Sequence, residues 1–259
     1  MKKLSQTSMP HNLIIIQARV SSTRLPGKVL RPIWEGLNLL DLQLDKLRDC
    51  GPAFVLATTD NTSDDAIVSW ADQNQVEVFR GDENNVLKRF IDCAKVYGAE
   101  NLIRVCSDNP FIQLGQVHDF LKALENGFDY ICLCDDSGTP AIKTHWGLFV
   151  EGVKLSALEK VSELLESNPQ KSFYAEHVTN FIYGNSDQFK VKLEIAPEVI
   201  VSRNDLRFTI DTEEDFDTMT DLLELLDGNQ KELEELVSTT DKHPYFLTSM
   251  QRGIKSFIK

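Results

Sequence analysis

Three familiar phosphate- and metal-binding signatures are missing from this chain: it has no G-x-x-x-x-G-K-[ST], no G-x-G-x-x-G and no C-x-x-C. Gly147 and Gly152 have P-loop separation, but Val153 follows where the lysine must stand. The pattern therefore speaks against a P-loop enzyme, a dinucleotide fingerprint and a zinc cluster. Cysteine is sparse and odd in number, at Cys50, Cys93, Cys106, Cys132 and Cys134. That argues against a disulfide framework and for a reducing, cytoplasmic setting. No apolar run approaches the roughly 20 residues of a membrane span. Near the N-terminus, Lys2, Lys3 and Pro10 are followed only by the short run Leu13–Ile16, too short for a signal-peptide core. Positive charge is scarce as well. Lys and Arg total 27 against 40 Asp and Glu, a net charge of −13 over 259 residues. This balance excludes general nucleic-acid binding and anionic-membrane binding. Any anion site has to be a local basic pocket in an acidic field.

What is present is ordinary globular composition, 42% hydrophobic and 26% charged, with enough length for a sizeable core. No repeat or low-complexity tract interrupts it. Short apolar runs alternate with helical periodicity. Strands are expected at 13–16, 54–57, 76–79, 102–106 and 129–133. Between them lie helical stripes such as Leu40, Leu44, Leu47 and Val86, Leu87, Phe90, Ile91, Ala94. This succession implies a mostly parallel sheet with helices on both faces. The second half is less regular. A strand is expected at 147–150, helices at 154–166 and 173–183, and an antiparallel or edge strand at 189–195. A short strand at 207–210 leads into a helix at 212–227, and two helices fill the tail.

In open parallel sheets ligands bind at the carboxyl ends of strands, so the residues just beyond each strand are the informative ones. After the first strand, Leu13 to Trp34 contains Arg19, Arg24, Lys28 and Arg31 and no acidic residue. Arginine forks fit phosphate oxygens, lysine adds a point charge, and Ser21, Ser22 and Thr23 can donate hydrogen bonds. Asp108 follows the fourth strand, before Asn109-Pro110. It reads either as a turn residue or as a magnesium ligand, since magnesium sites use one or two carboxylates plus substrate phosphate oxygens. Asp211 is open in the same way. Asp211-Thr212-Glu213-Glu214 resembles a helix capping box with Asp211 as N-cap, and the same carboxylate can hold metal. Lying on one rim opposite a basic loop, the two aspartates favour metal.

These residues also carry a family resemblance. The stretch Ile15-Ile16-Gln17-Ala18-Arg19 through Ser22-Thr23-Arg24-Leu25-Pro26-Gly27-Lys28-Val29-Leu30 resembles the opening of cytidylyltransferases of the spore coat polysaccharide biosynthesis type. These are relatives of the acylneuraminate and deoxy-manno-octulosonate cytidylyltransferases. Ala57-Thr58-Thr59-Asp60, Phe79-Arg80-Gly81, Val86-Leu87, Arg89-Phe90, Arg104-Val105, Asp108, Pro110, Glu176-His177-Val178-Thr179 and Asp211 to Asp215 follow in the family's order.

The resemblance implies a three-layer α/β/α sandwich with a mostly parallel sheet, of the nucleotide-diphospho-sugar transferase kind. No linker stands out in the sequence, so a single domain over 1–259 is expected, with a core at about 12–226, the span of the resemblance, and a helical extension at 227–259. By the same resemblance the protein is a homodimer that transfers CMP from CTP to a carbohydrate-type acceptor, using magnesium. Gln17, Ala18, Arg19, Ser22, Arg24, Lys28, Arg80, Gly81 and Asn85 would hold the nucleotide. Asp108 and Asp211 would hold Mg2+, with Arg19, Lys28 and Asp108 serving catalysis. Phe149, Glu151 and His177 would face the acceptor.

Four departures stand out: Cys106-Ser107 replaces the usual Thr-Gly, Asn84-Asn85 an acidic stretch, Lys88 an acid, and Phe149 an aspartate. The changes at Phe149 and Asn85 keep a non-catalytic nucleotide-binding paralogue in play, and a glycosyltransferase on a related fold is the other alternative. The glycosyltransferase lacks its Asp-x-Asp cue.

Overall fold

In a computed structural model, residues 11–256 are described; Lys2, Lys3 and Pro10 lie outside them. The first strand, β1 (Asn12–Gln17), is followed by α1 (Leu39–Asp49), β2 (Ala53–Thr59), α2 (Asp65–Gln73) and β3 (Val78–Gly81). Then come α3 (Val86–Tyr97), β4 (Asn101–Cys106), α4 (Val117–Glu125), β5 (Tyr130–Cys134), β6 (Glu151–Lys154) and α5 (Leu155–Leu164). The chain continues through α6 (Lys171–Glu176), α7 (Asn180–Tyr183), β7 (Val191–Ile195) and α8 (Glu198–Val201). It closes with α9 (Glu213–Leu226), α10 (Leu233–Lys242) and α11 (Pro244–Ser256). No helix among the described residues is long and apolar enough to cross a membrane.

The strands form one sheet in the order β3-β2-β1-β4-β6-β5-β7, with β6 antiparallel to both neighbours and every other pair parallel. Strand order reverses at β1, so the loops after β1 and β4 diverge there and open a crevice. The period-two rule explains why Leu13 to Ile16 of β1 are all apolar. Ile14 and Ile16 pack with α1, α4 and α9, while Leu13 and Ile15 pack with α3 and α5. A central strand covered on both faces has no solvated side. The sandwich is thus α1, α2, α4 and α9 to α11 on one side and α3, α5 and α7 on the other.

Three expectations are corrected, and a fourth, an antiparallel or edge strand at 189–195, is met at the edge. Residues 147–150 make no strand beyond an isolated bridge of Phe149 to Gln113; the strand begins at Glu151 and runs antiparallel. The helix expected at 173–183 breaks at His177 into α6 and α7. β7 is an edge strand but pairs parallel to β5. Residues 207–210 are extended without joining the sheet. Phe208 N–H instead donates to Trp146 O at 3.1 Å and Ile210 N–H to Asp108 O at 3.0 Å. Gly147 permits that close approach. Its φ is +61°, and a Cβ there would stand 2.7 Å from Thr209 N and 2.9 Å from Asn109 Oδ1.

Candidate active site

The loop after β1 is held from below by Asp64, a fully buried carboxylate. Asp64 accepts from Val20 N–H at 2.7 Å, Thr58 Oγ1 at 2.9 Å, Thr59 Oγ1 at 2.6 Å and Thr59 N–H at 3.1 Å. Burial pushes its carboxyl up, but these donors outweigh burial and hold it below its ordinary value. Ser21 Oγ donates to Glu83 at 2.8 Å, and Ser22 Oγ accepts from Leu25 N–H at 3.3 Å, which turns the chain toward Arg24 and Lys28. Arg19 stays partly exposed, 3.8 Å from Glu176.

Lys28 is the centre of the arrangement. Only 8% of it is exposed. Its ammonium donates to Asp108 Oδ2 at 3.2 Å and to the carbonyl of Ile210, and lies 3.6 Å from Asp211 Oδ1. Arg24 reaches the same Asp211 oxygen at 2.8 Å. Arg207, wholly buried, donates to Asp211 Oδ2 at 2.9 Å and forms a two-armed pair with Asp215 at 2.8 and 2.9 Å. Burial pushes the Asp211 carboxyl up, yet Lys28, then Arg207 and Arg24, hold it down at about 2.

The expected capping box is displaced by one residue. Thr212 is the N-cap and Asp215 the reciprocating partner. Asp211 is therefore not spent on capping α9 and turns toward Lys28. Gln43 of α1, almost fully buried, fastens the other aspartate's loop by donating to Cys106 O and Asn109 O, both at 3.0 Å.

A cavity of about 450 Å³ opens beside the two aspartates, walled by Arg104, Lys143, Phe149, Phe173, His177 and Asn180 among others. Phe149 meets Trp146 edge-on, with centroids 6.0 Å apart. His177 lies against Phe173 at 4.6 Å. Glu151, expected at the acceptor, sits behind this wall. It is 2% exposed and accepts from Tyr130 OH, from Thr179 Oγ1 at 2.9 Å and from Arg104 Nη1 at 2.6 Å. Gln17 likewise turns inward and accepts from Arg104. Ala18 is buried at the strand end, where its N–H meets Ala57 O.

The remaining nucleotide candidates are held by local contacts of their own. Arg80 is bound to Thr59 O, Asn61 O and Asp65 at 2.6–2.8 Å and pins the loop before α2. Gly81 ends β3, and Asn85 caps α3 by accepting Lys88 N–H. Sequence reasoning missed Asp64, Gln43, Arg207 and the role of Arg104. One signal was readable: an arginine inside the apolar run Leu102-Ile103-Arg104-Val105.

As a metal centre, Asp108 and Asp211 supply hard carboxylate oxygens that converge on one cation, Lys28. This donor set fits magnesium, which asks a protein for one or two carboxylates and takes the rest from water and phosphate. No cluster of three or more His, Cys, Asp or Glu side chains suited to a metal occurs among the described residues.

Fold and site together define a nucleotidyltransferase. The chain matches the cytidylyltransferase family model over residues 13–243 and belongs to that family. It is 31% identical over 241 residues to the spore coat polysaccharide biosynthesis protein SpsF of Bacillus subtilis, covering 90% of this chain and 95% of the relative. A solved cytidylyltransferase from Leptospira borgpetersenii superposes with a TM-score of 0.78 at 28% identity, covering 92% of this chain and 97% of the other. The structure of CMP:2-keto-3-deoxy-manno-octonic acid synthetase complexed with CTP shares the fold, with a TM-score of 0.60 at 18% identity over 83% of this chain and 99% of the other.

Proposed function

We propose that this protein transfers CMP from CTP to a sugar, sugar acid or polyol phosphate, releasing pyrophosphate, in surface polysaccharide or glycoconjugate biosynthesis. The observation that carries the reading is the convergence of Asp108 and Asp211 on Lys28 at the mouth of the basic β1 loop. Family membership, the process named for the Bacillus subtilis relative and the CTP in the fold relative support it. In this reading an acceptor oxygen attacks the α-phosphorus and the bond to the β-phosphate breaks. Arg19, Ser22, Arg24 and Lys28 hold the triphosphate and stabilise the departing pyrophosphate. Asp108 and Asp211 hold Mg2+, which when bound neutralises charge on the phosphate oxygens. Asp64 and Gln43 fix the two loops, so the charges stand in place before substrate arrives. We further propose a cytoplasmic homodimer. The test is pyrophosphate release with each of the four nucleoside triphosphates and magnesium, against a panel of sugar acids and polyol phosphates. CTP-selective release supports the reading, and equal use of all four, or none, ends it.

A further inference from the structure

Arg104 interrupts the apolar run Leu102-Ile103-Arg104-Val105 of β4. It lies in the middle of β4, in register with Ile15 on one side and Glu151 on the other. Its side chain is 11% exposed. Burial works against its charge, but the Glu151 carboxylate paired with it more than offsets burial and holds the guanidinium protonated. Nε and Nη2 donate to Gln17 Oε1 at 3.3 and 3.2 Å, and Nη1 donates to Glu151 Oε2 at 2.6 Å. Each terminal nitrogen carries a second N–H that no described residue accepts, while the group forms part of the cavity wall next to Asp108. A nearly buried guanidinium is costly to desolvate, and its remaining donors call for a strong acceptor.

We infer that Arg104 is the specificity-determining residue for the acceptor, and that it takes a small anionic group, carboxylate or phosphate, on the acceptor. The inference rests on the cytidylyl-transfer reading of the same site. Glu151, locked by Tyr130 and Thr179, is a positioning residue that aims the guanidinium. Ile142, Leu148, Phe149 and Phe173 offer the acceptor's carbon skeleton an apolar wall. The carboxylates of the wall, Asp108 and Asp211, already face Lys28, Arg24 and Arg207. Arg104 and Lys143 are the cations of the wall left for the acceptor. Planar guanidinium donors match carboxylate and phosphate oxygens better than a single hydroxyl.

The test uses three six-carbon probes: gluconate, sorbitol 6-phosphate and uncharged sorbitol. Each is titrated calorimetrically into protein saturated with magnesium and CTP. Expected is at least tenfold tighter binding of one anion than of sorbitol; which anion wins separates carboxylate from phosphate recognition. Arg104→Lys keeps the charge and loses the fork, and the paired change Arg104→Met with Glu151→Met removes both buried charges together. Both should collapse the anion-to-sorbitol ratio toward one while CTP affinity stays within about twofold, which is 0.4 kcal/mol or less. Equal binding of all three probes by the unaltered protein overturns the inference, as does a ratio that survives in both variants. If CTP itself does not bind, the nucleotide reading fails, and the same titration without nucleotide still decides the anion question.

Discussion

The loop proposed for the nucleotide and the wall proposed for the acceptor use arginine in opposite ways. Arg24 is about half exposed and pairs with one carboxylate oxygen; Arg104 is almost buried and is fixed from two sides by Gln17 and Glu151. The first arrangement comes from one contiguous segment, residues 17–28, whose shape depends on Asp64 and a short turn. The second gathers β1, β4, β5, β6 and the break between α6 and α7. A half-exposed arginine such as Arg24 can meet any polyphosphate. A desolvated cation in fixed orientation can discriminate, because a mismatched partner leaves it unpaired. Removing one partner should therefore be structurally mild on the loop and severe at the wall.

The largest expected effect follows from Glu151→Leu. It leaves the Arg104 charge buried without its carboxylate, which costs about 3–5 kcal/mol. Chemical denaturation should show it directly, and adding Arg104→Met should recover most of the loss. A single-variant loss below about 1 kcal/mol would place the pair in effective contact with solvent. Next is Asp108→Asn, which removes one of the two carboxylates proposed to hold magnesium. Turnover should fall about a hundredfold, roughly 3 kcal/mol in the barrier, with the melting temperature nearly unchanged. Near-normal turnover at saturating magnesium would remove Asp108 from the metal centre.

Asp211 gives a smaller, pH-dependent effect. Its carboxyl is held at about 2 against an ordinary 3.8. A depressed carboxyl stabilises the folded state above pH 4, and that contribution is lost as pH falls from about 4 through 2. Asp211→Asn should cost about 2 kcal/mol at neutral pH, and the difference from the unaltered protein should vanish near pH 2. A pH-independent difference would show that the ion pairs around Asp211 are not what stabilises it.

The smallest effect concerns α11. Gly253 lets that helix approach the pair supporting Asp211: a Cβ there would stand 3.0 Å from Arg207 Cδ and 3.1 Å from Asp215 Oδ1. Alanine in a helix interior ordinarily gains about 1 kcal/mol over glycine. Here Arg207 is locked by Asp211 and Asp215 and cannot give way, so Gly253→Ala should cancel the gain or turn it into a slight loss.

The same contrast explains what was legible in the sequence. β1, β2, β4 and β5 were readable because central strands buried on both faces are continuous apolar runs. The basic loop was readable because four cations without an acid stand out in an acidic chain. The segment 207–210 looked like a strand because Phe208 and Ile210 alternate with polar neighbours, but its backbone partners are Trp146 and Asp108, contacts that no periodicity encodes. The cap of α9 was misread by one residue because Asp211 and Thr212 are both good N-caps; Arg207 decides between them by drawing Asp211 away. Glu151 was expected beside substrate because it closes the stretch Gly147-Leu148-Phe149-Val150-Glu151, which the family resemblance puts on the acceptor side. Only the register of β6 against β4 shows that it serves Arg104.

The central claim, that the loop from Arg19 to Lys28 together with Asp108 and Asp211 is a triphosphate–magnesium site, is tested most directly by melting temperature. A ligand specific to the folded state at a hundred times its dissociation constant adds about 2.7 kcal/mol. CTP with magnesium should raise the midpoint by several degrees, and either alone by less. Arg24→Ala should abolish most of that rise while leaving the unliganded midpoint nearly unchanged, because a half-exposed ion pair is worth about 1 kcal/mol or less. A full CTP–magnesium shift retained in Arg24→Ala would contradict the assignment of this loop.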